Sequence, residues 1–466
     1  MASKKTKKTV ERTAKKIYKK NKKKPVFWII LIIALLLVIG LVAGYIYMNP
    51  DILSGLKHNN NDDTTTSTKP NNSSSSHSVE GVIYDDFQIH FLEFENNSAG
   101  DSIYIKAGDN DILIDAGNKK DNSTKLSKQI NEYCTDNKLE YVIVTHGDQD
   151  HIQSFVGSSA NATNGLLYTY DVDNIIYNNT TTKSSKIYQA LVSAINKKKE
   201  SGTTVTYAKD FFESDNLTAK SSATIKLSDY VTMQVLWNKY YFTTSSDENN
   251  YSVSVLFNYT KGSDTHNFIL TGDLEKEGEE AMVAHYSSST YGTLPHVDLY
   301  KGGHHGSKTS STNKLLSAIT PEICCVCTCA GTNEYTTDYT NQFPTQHFIN
   351  RIAQYTDKVY VTGLYSNGTF SSMNGQLIVS CGTNSTTNQV EVSVASTNNL
   401  TKLKDSEWFN ETIYVKNYKE ASSTDLDDVN STPHGDNSAK SGDNTFYTAS
   451  DEGVTAVKRR IWPSSN

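Results

Sequence analysis

One strand with no polar side, Tyr141-Val142-Ile143-Val144-Thr145, runs directly into His146-Gly147-Asp148-Gln149-Asp150-His151. A strand that is apolar on both faces must be covered on both, which excludes a single sheet with one wet side and requires layers above and below it. The loop after it places His146, Asp148, Asp150 and His151, all side chains able to bind a divalent cation, at the carboxyl end of that strand. A solvated loop rich in Asp and His looks the same in isolation, so the reading turns on whether compatible groups recur.

They recur at two more strand ends. Leu270-Thr271-Gly272-Asp273 puts a carboxylate after a second apolar run, with Gly272 allowing close approach, although an Asp there also suits a helix N-cap. Gly302-Gly303-His304-His305-Gly306-Ser307 follows a third run, and paired histidines between glycines are seldom a packing device. Asp115, in LIDAG, adds a carboxylate suited to supporting ligands. His146, Asp148, Asp150, His151, Asp273 and His305 thus form a mixed nitrogen and oxygen donor set large enough for one or two ions. Zn²⁺ or Mn²⁺ suits such donors. Ions of this kind make water acidic and stabilise the oxygens of a displacement at phosphorus, so hydrolysis is the expected chemistry.

The surrounding pattern fits layers. Short β-rich runs at 87–94, 102–107 and 111–116 precede helical spacing at Leu126, Ile130, Tyr133 and Cys134; a second helix is marked by Ile187, Leu191, Ala194 and Ile195. Further strands are expected at 231–237, 251–259, 267–271, 297–301, 322–329, 357–362 and 376–380. Helices are expected near 274–286, 311–318 and 345–354. Two sheets with helices outside them satisfy every buried face. Four of the six cysteines stand in CCVCTC (Cys324, Cys325, Cys327, Cys329), with Cys134 and Cys381 elsewhere. Such close spacing along one strand suits neither a disulfide framework nor a tetrahedral zinc site, so they read as small buried hydrophobes.

The flanks have a different character. With 36% hydrophobic residues and a mean hydropathy of −0.51, much of the chain must be linker or surface. Residues 1–24 carry +11, and since the whole chain carries −7 the remainder carries −18. That excess argues against a surface that coats nucleic acid generally, so any phosphate must be held locally. Residues 26–48 contain no charge, long enough to cross a bilayer core, and the basic flank orients them by the positive-inside rule. The expected order is a basic cytoplasmic tail (1–24), a single transmembrane helix (25–48), a disordered polar linker (49–81), a globular domain (82–400) and a partly disordered C-terminal extension (401–466). Trp408-Phe409 and Ile461-Trp462 are apolar enough to dock that extension on the core.

HFLEF, GDSIYI, ILIDAG, THGDQDH, LTGD and GGHHGSKTSS, in that order, resemble the metallo-β-lactamase superfamily, and within it the soluble domain attached to the ComEC/Rec2 DNA-uptake channel. The resemblance implies an α/β fold, an αββα sandwich with metal ligands along one edge. It implies that Asp148 replaces a histidine ligand, that Asp273 bridges, that His305 is the last ligand and that His304 donates a proton or ligates instead. Asp150, His304 and Lys308 are the candidate catalytic residues, His304 or Lys308 assisting an oxygen of the substrate. The superfamily's middle ligand is not matched, which implies that one ion site is weak. Because the ComEC channel is polytopic, a single span excludes this chain as the conduit. The expectation is a membrane-anchored, extracellular, metal-dependent hydrolase of phosphoesters, a phosphodiesterase or nuclease with DNA as leading substrate and no nucleotide cofactor. Its rivals are a cell-surface phosphorylcholine or teichoic-acid phosphoesterase and a non-catalytic metal-bound module that holds DNA or a partner.

Overall fold

Apolar runs of the expected kind pair into two eight-stranded sheets in the computed structural model, which describes residues 79–336, 339–366, 368–416 and 447–463. The first sheet runs, edge to edge, Val390–Ser396, Leu377–Thr383, Phe87–Phe91, Ile103–Ala107, Asn110–Ile114, Lys138–Val144, Asp171–Tyr177 and Thr204–Tyr207. The second runs Thr369–Ser372, Val359–Ser366, Ile323–Ala330, Leu299–Lys301, Asp264–Leu270, Val255–Lys261, Val231–Val235 and Thr224–Lys226.

Alternation along each strand divides its side chains between layers. Ile143 joins the core between the sheets with Phe87, Ile89, Met233 and Phe257, whereas its neighbours Val142 and Val144 pack outward on Leu126, Ile130, Ile152 and Leu191. Phe87 meets Phe268 of the opposite sheet edge-on at 5.1 Å. Helices Ser123–Ile130, Gln149–Val156 and Lys186–Glu200 cover the first sheet, while Met282, Leu315 and Ile349 bring Lys276–His285, Asn313–Ile319 and Gln346–Ile352 into the core. The result is the αββα sandwich. Strand Ile323–Ala330 is buried throughout, and its four cysteines are free thiols.

Parallel pairing aligns the chemistry. Asn110–Ile114, Lys138–Val144 and Asp171–Tyr177 pair in parallel, as do Asp264–Leu270, Leu299–Lys301 and Ile323–Ala330. Strands of one direction end at one edge, and there the loops carry the polar groups.

Two expectations need correction. Among the described residues no helix is long and apolar enough to cross a membrane. The run at 25–48 and the basic tail lie outside the described residues, as does most of the 49–81 linker. Among the described residues the fold is accordingly the αββα sandwich with no membrane-spanning helix, and the membrane-anchored, extracellular placement is not carried further. The C-terminal extension docks only partly by its apolar pattern, Trp462 packing against Phe409 with ring centroids 6.0 Å apart. Trp408 and Phe409 are buried, but Ile461 is 59% exposed. Arg460 is buried instead, donating to the carbonyls of Tyr339, Gln342 and Pro344 at 2.6–2.9 Å. A guanidinium's five donors suit a turn that offers three carbonyls, and an isoleucine side chain offers none.

Candidate metal centre

Four strand ends and one strand start build the centre. Asp101 stands just before Ile103–Ala107; Gly100, at φ +156°, lets that turn reach the backbone of Gly117 and Asn118, where a Cβ would stand 2.0 Å from the Gly117 carbonyl oxygen. Asp115 follows Asn110–Ile114. His146 follows Lys138–Val144, Asp148 occupies the N-cap position of Gln149–Val156, and Asp150 and His151 lie in that helix's first turn. Asp273 comes after Asp264–Leu270, with Gly272 at φ +58° turning the chain against Thr145 and Ser252. His304 and His305 sit in a short turn after Leu299–Lys301, both at positive φ (43° and 54°), a conformation non-glycine residues seldom adopt.

Asp101, His151, Asp273 and His305 are all buried, and each offers a ligand atom within 4.8 Å of the others'. The ring nitrogens separate their roles. His151 Nδ1 lies 2.7 Å from Asp115 Oδ2, and His305 Nδ1 lies 2.8 Å from the Cys327 carbonyl and 3.2 Å from Asp101 Oδ1. Those oxygens only accept, so Nδ1 carries the proton in each ring and Nε2 is turned inward. His151 Nε2 is 3.0 Å and His305 Nε2 3.2 Å from Asp273 Oδ2, and His305 Nε2 is 3.8 Å from Asp150 Oδ2. Asp101 therefore stands behind the rings and orients them. Asp115 does the same, also accepting from Thr145 N and Oγ1 at 2.8 and 2.6 Å.

The remaining residues surround this group. His146 stacks on His151 with ring centroids 4.1 Å apart; its Nδ1 meets Thr145 Oγ1 at 3.0 Å and its Nε2 lies 3.6 Å from Asp148. The Lys183 ammonium contacts Asp148 Oδ1. His304 Nδ1 is held by Glu275 Oε1 at 3.0 Å, with Nε2 3.9 Å from Asp273 Oδ2. Lys308 is placed on Asn341 at 3.2 Å and does not join the convergence. His266, between His151 and Asp273 in sequence, pairs with Asp298 at the opposite end of its strand. The Tyr335 hydroxyl reaches Asp150.

Sequence reasoning missed Asp101, Lys301, Glu275, Glu248 and Tyr335 as members of this site. Lys301 had a signal: a lysine ends an otherwise apolar strand. It is fully buried, with its ammonium 2.6 Å from Asp101 Oδ2, 3.1 Å from Asp273 Oδ1 and 2.8 Å from the Gly272 carbonyl. Asp101 had one too, in the GDSIYI motif. Glu248 accepts from the amide of Gly147 at 2.9 Å and from Thr181, so it clamps the ligand loop from a distant segment that carries no motif.

Electrostatically the centre calls for a cation. Burial alone would drive His151 and His305 toward neutrality, yet Asp273 and its carboxylate neighbours outweigh it and hold both imidazoles protonated well above their ordinary range. Burial would likewise raise Asp150 and Asp273, but the histidines and, for Asp273, Lys301 keep both carboxyls far below theirs. His146 is the exception: burial, aided by neighbouring His151, holds it down to about 4. The Nε2 atoms of His146 and His305 are buried and make no hydrogen bond. Without an ion the inward Nε2 atoms of His151 and His305 face these carboxylates as protonated donors, and a divalent ion can take the place of those protons, so the residues fit a metal.

Residues 96–155 match the metallo-beta-lactamase superfamily. Over 96 residues the chain is 33% identical to competence protein ComA of Neisseria gonorrhoeae, covering 21% of this chain and 12% of that protein. It thus spans about an eighth of that relative. Among solved structures, the metallo-beta-lactamase fold protein YhfI from Bacillus subtilis is similar at 11% identity and a TM-score of 0.31, over 62% of this chain and 100% of that one. A diphosphatase from the PhnP family is similar at 10% identity and a TM-score of 0.29, over 62% and 98%. Residues 96–155 are thus similar to the metallo-β-lactamase superfamily. Within it the likeness is to the ComEC-like competence proteins, and the site is of the metallohydrolase type.

Proposed function

We propose that this chain is a metal-dependent phosphoester hydrolase, with phosphodiesters and nucleic acid first among its substrates and Zn²⁺ or Mn²⁺ as its metal. The reading is carried by the inward convergence of His151 Nε2, His305 Nε2, Asp150 and Asp273 at one edge of the sandwich. Likeness over a short stretch to a competence protein supports a phosphodiester over a lactam.

A divalent ion in this position supplies Lewis acidity and makes water nucleophilic near neutral pH. Asp150, His151, Asp273 and His305 would hold it. Asp115, Asp101 and the Cys327 carbonyl fix the ring orientations, which keeps Nε2 deprotonated once the ion is present. Lys301 pins one oxygen of Asp273 and leaves the other for the centre. His304, oriented through Nδ1 by Glu275 and Thr309, presents Nε2 to the same space and is placed to pass a proton to the departing oxygen. Its movement by an ångström would change that geometry, which is why Glu275 and the glycines around the pair matter.

The purified chain should hydrolyse bis(p-nitrophenyl) phosphate or DNA in the presence of Mn²⁺ or Zn²⁺ and stop on chelation. A metal-loaded, folded chain that hydrolyses no phosphodiester and no phosphorylcholine ester, yet retains DNA on a filter equally well as Asp150→Ala, would make it a binding module instead.

A further inference from the structure

The donors at the centre divide unequally between two sides. On one side, His151 Nε2 and His305 Nε2 converge on Asp273 Oδ2, Asp150 Oδ2 stands 3.8 Å from His305 Nε2, and four donors of this type would complete one tetrahedral ion. On the other side stand His146 and Asp148. His146 Nε2 is buried and bare, and among the described residues the carboxylate it pairs with is Asp148, 3.6 Å away. Asp148 already has its charge offset, because Lys183 reaches across from the segment before helix Lys186–Glu200 and sets its ammonium on Oδ1, so that only Oδ2 faces His146. Asp273 gives this side little more. Its Oδ1 is taken by the buried Lys301, so Oδ2 is the one oxygen it has for both sides.

We propose that the chain holds one tightly bound divalent ion, on Asp150, His151, Asp273 and His305, and that the Lys183 ammonium on Asp148 takes the place of a second ion beside His146. The inference rests on the metallohydrolase reading and deepens it. An ammonium contributes one positive charge where a divalent ion would contribute two, and it is tethered, so it neither dissociates nor competes for metal. Lys183 is a positioning residue in this account. It offsets the charge of Asp148 and so weakens the pull of that carboxylate on a metal, while Glu248 clamps the adjacent Gly147 amide and keeps the loop in that register. Lys301 and Lys183 are thus two fixed cations on either flank of a single exchangeable one.

The test is metal stoichiometry on the whole chain, read by elemental analysis after gel filtration and by the visible spectrum of Co²⁺ titrated into metal-free protein. Wild type should retain one equivalent, and its Co²⁺ spectrum should saturate at one. Lys183→Met should free Asp148 and bind a second ion about tenfold or more tighter than wild type does. Lys183→Arg keeps the charge and should stay at one. His305→Ala should lose the retained ion, whereas Asp148→Asn and His146→Ala should keep it. Two retained equivalents in wild type, with Lys183→Met unchanged, would overturn the proposal and leave the hydrolase reading standing. Loss of the retained ion in His146→Ala would overturn it as well. No bound metal at all, with hydrolysis indifferent to chelation, would sink both readings.

Discussion

Two groups of ligand-type side chains lie in this sandwich, and they have opposite fates. Asp101, His151, Asp273 and His305 meet at one edge; Asp111, Cys134 and Asp136 come equally close to one another elsewhere. In the second group every candidate donor is spent. Asp111 accepts from Lys106 at 2.9 and 3.0 Å and from the Tyr104 hydroxyl. Burial pushes the Cys134 thiol up to about 11, so it stays protonated and donates to the Lys138 carbonyl at 3.3 Å. Asp136 is exposed and accepts from the Lys138 amide. In the first group, acceptor-only partners sit behind the histidine rings and leave Nε2 facing carboxylates. Proximity of ligand types therefore does not make a metal site; ring nitrogens oriented from behind and turned together onto a shared carboxylate do.

The comparison breaks most visibly in turnover. Asp273→Ala or His305→Ala should lower phosphodiester hydrolysis by about three orders of magnitude or more, with circular dichroism unchanged. Asp111→Asn should stay within about twofold of wild type once folded, because it removes a partner of Lys106 and no metal donor. Equal losses from both groups would erase the distinction.

Chelation sharpens the same contrast in stability. A cation bound only to the folded state stabilises it by about 2.7 kcal/mol at a hundredfold excess over its Kd, so EDTA should lower the Tm of wild type and of Asp111→Asn alike. His305→Ala should melt at one temperature with or without EDTA. A wild-type Tm indifferent to EDTA would count against the metal centre.

Removing a thiol should cost less and change no chemistry. Cys327→Ala in strand Ile323–Ala330 and Cys134→Ala in the second group should each lose about 1–3 kcal/mol in denaturant unfolding while keeping metal content and turnover. Loss of bound metal in Cys134→Ala would give the second group a role it lacks here.

The smallest effect concerns a histidine outside both groups. His90 is fully buried, and burial holds it down to about 3. Between pH 6.5 and about 3 the unfolded chain binds a proton there that the folded chain does not, so His90 lowers stability as pH falls through that window. His90→Gln should make that decline shallower, by at most about 1.4 kcal/mol per pH unit. An identical pH slope in both proteins would show that His90 is not held neutral.

Much of the sandwich was legible because burial on both faces writes itself into strand composition. Tyr141 to Thr145 is the clearest case: Ile143 faces one core and Val142 the other. Strands Asp171–Tyr177 and Val390–Ser396 were missed, since their partly exposed faces carry Asp, Asn, Glu and Ser and blur the apolar run. The docking of the last segment was legible only in part: Trp462 packs on Phe409 as its hydropathy suggests. Hydropathy favours Ile461, but the surface it meets is lined by carbonyls, and Arg460 answers those.

By itself the sequence determined that His146, Asp148, Asp150, His151, Asp273 and His305 stand at strand ends, because glycines and sharp apolar-to-polar transitions mark those ends locally. Only the tertiary structure decided how they divide. Asp101, Lys301, Lys183 and Glu248 reach the centre from segments far apart in the chain, and each acts through contacts of about 3 Å that no local pattern encodes. A donor's chemistry belongs to its residue type, but whether its lone pair is spent on a neighbour or left for an ion depends on which distant side chain the fold sets beside it.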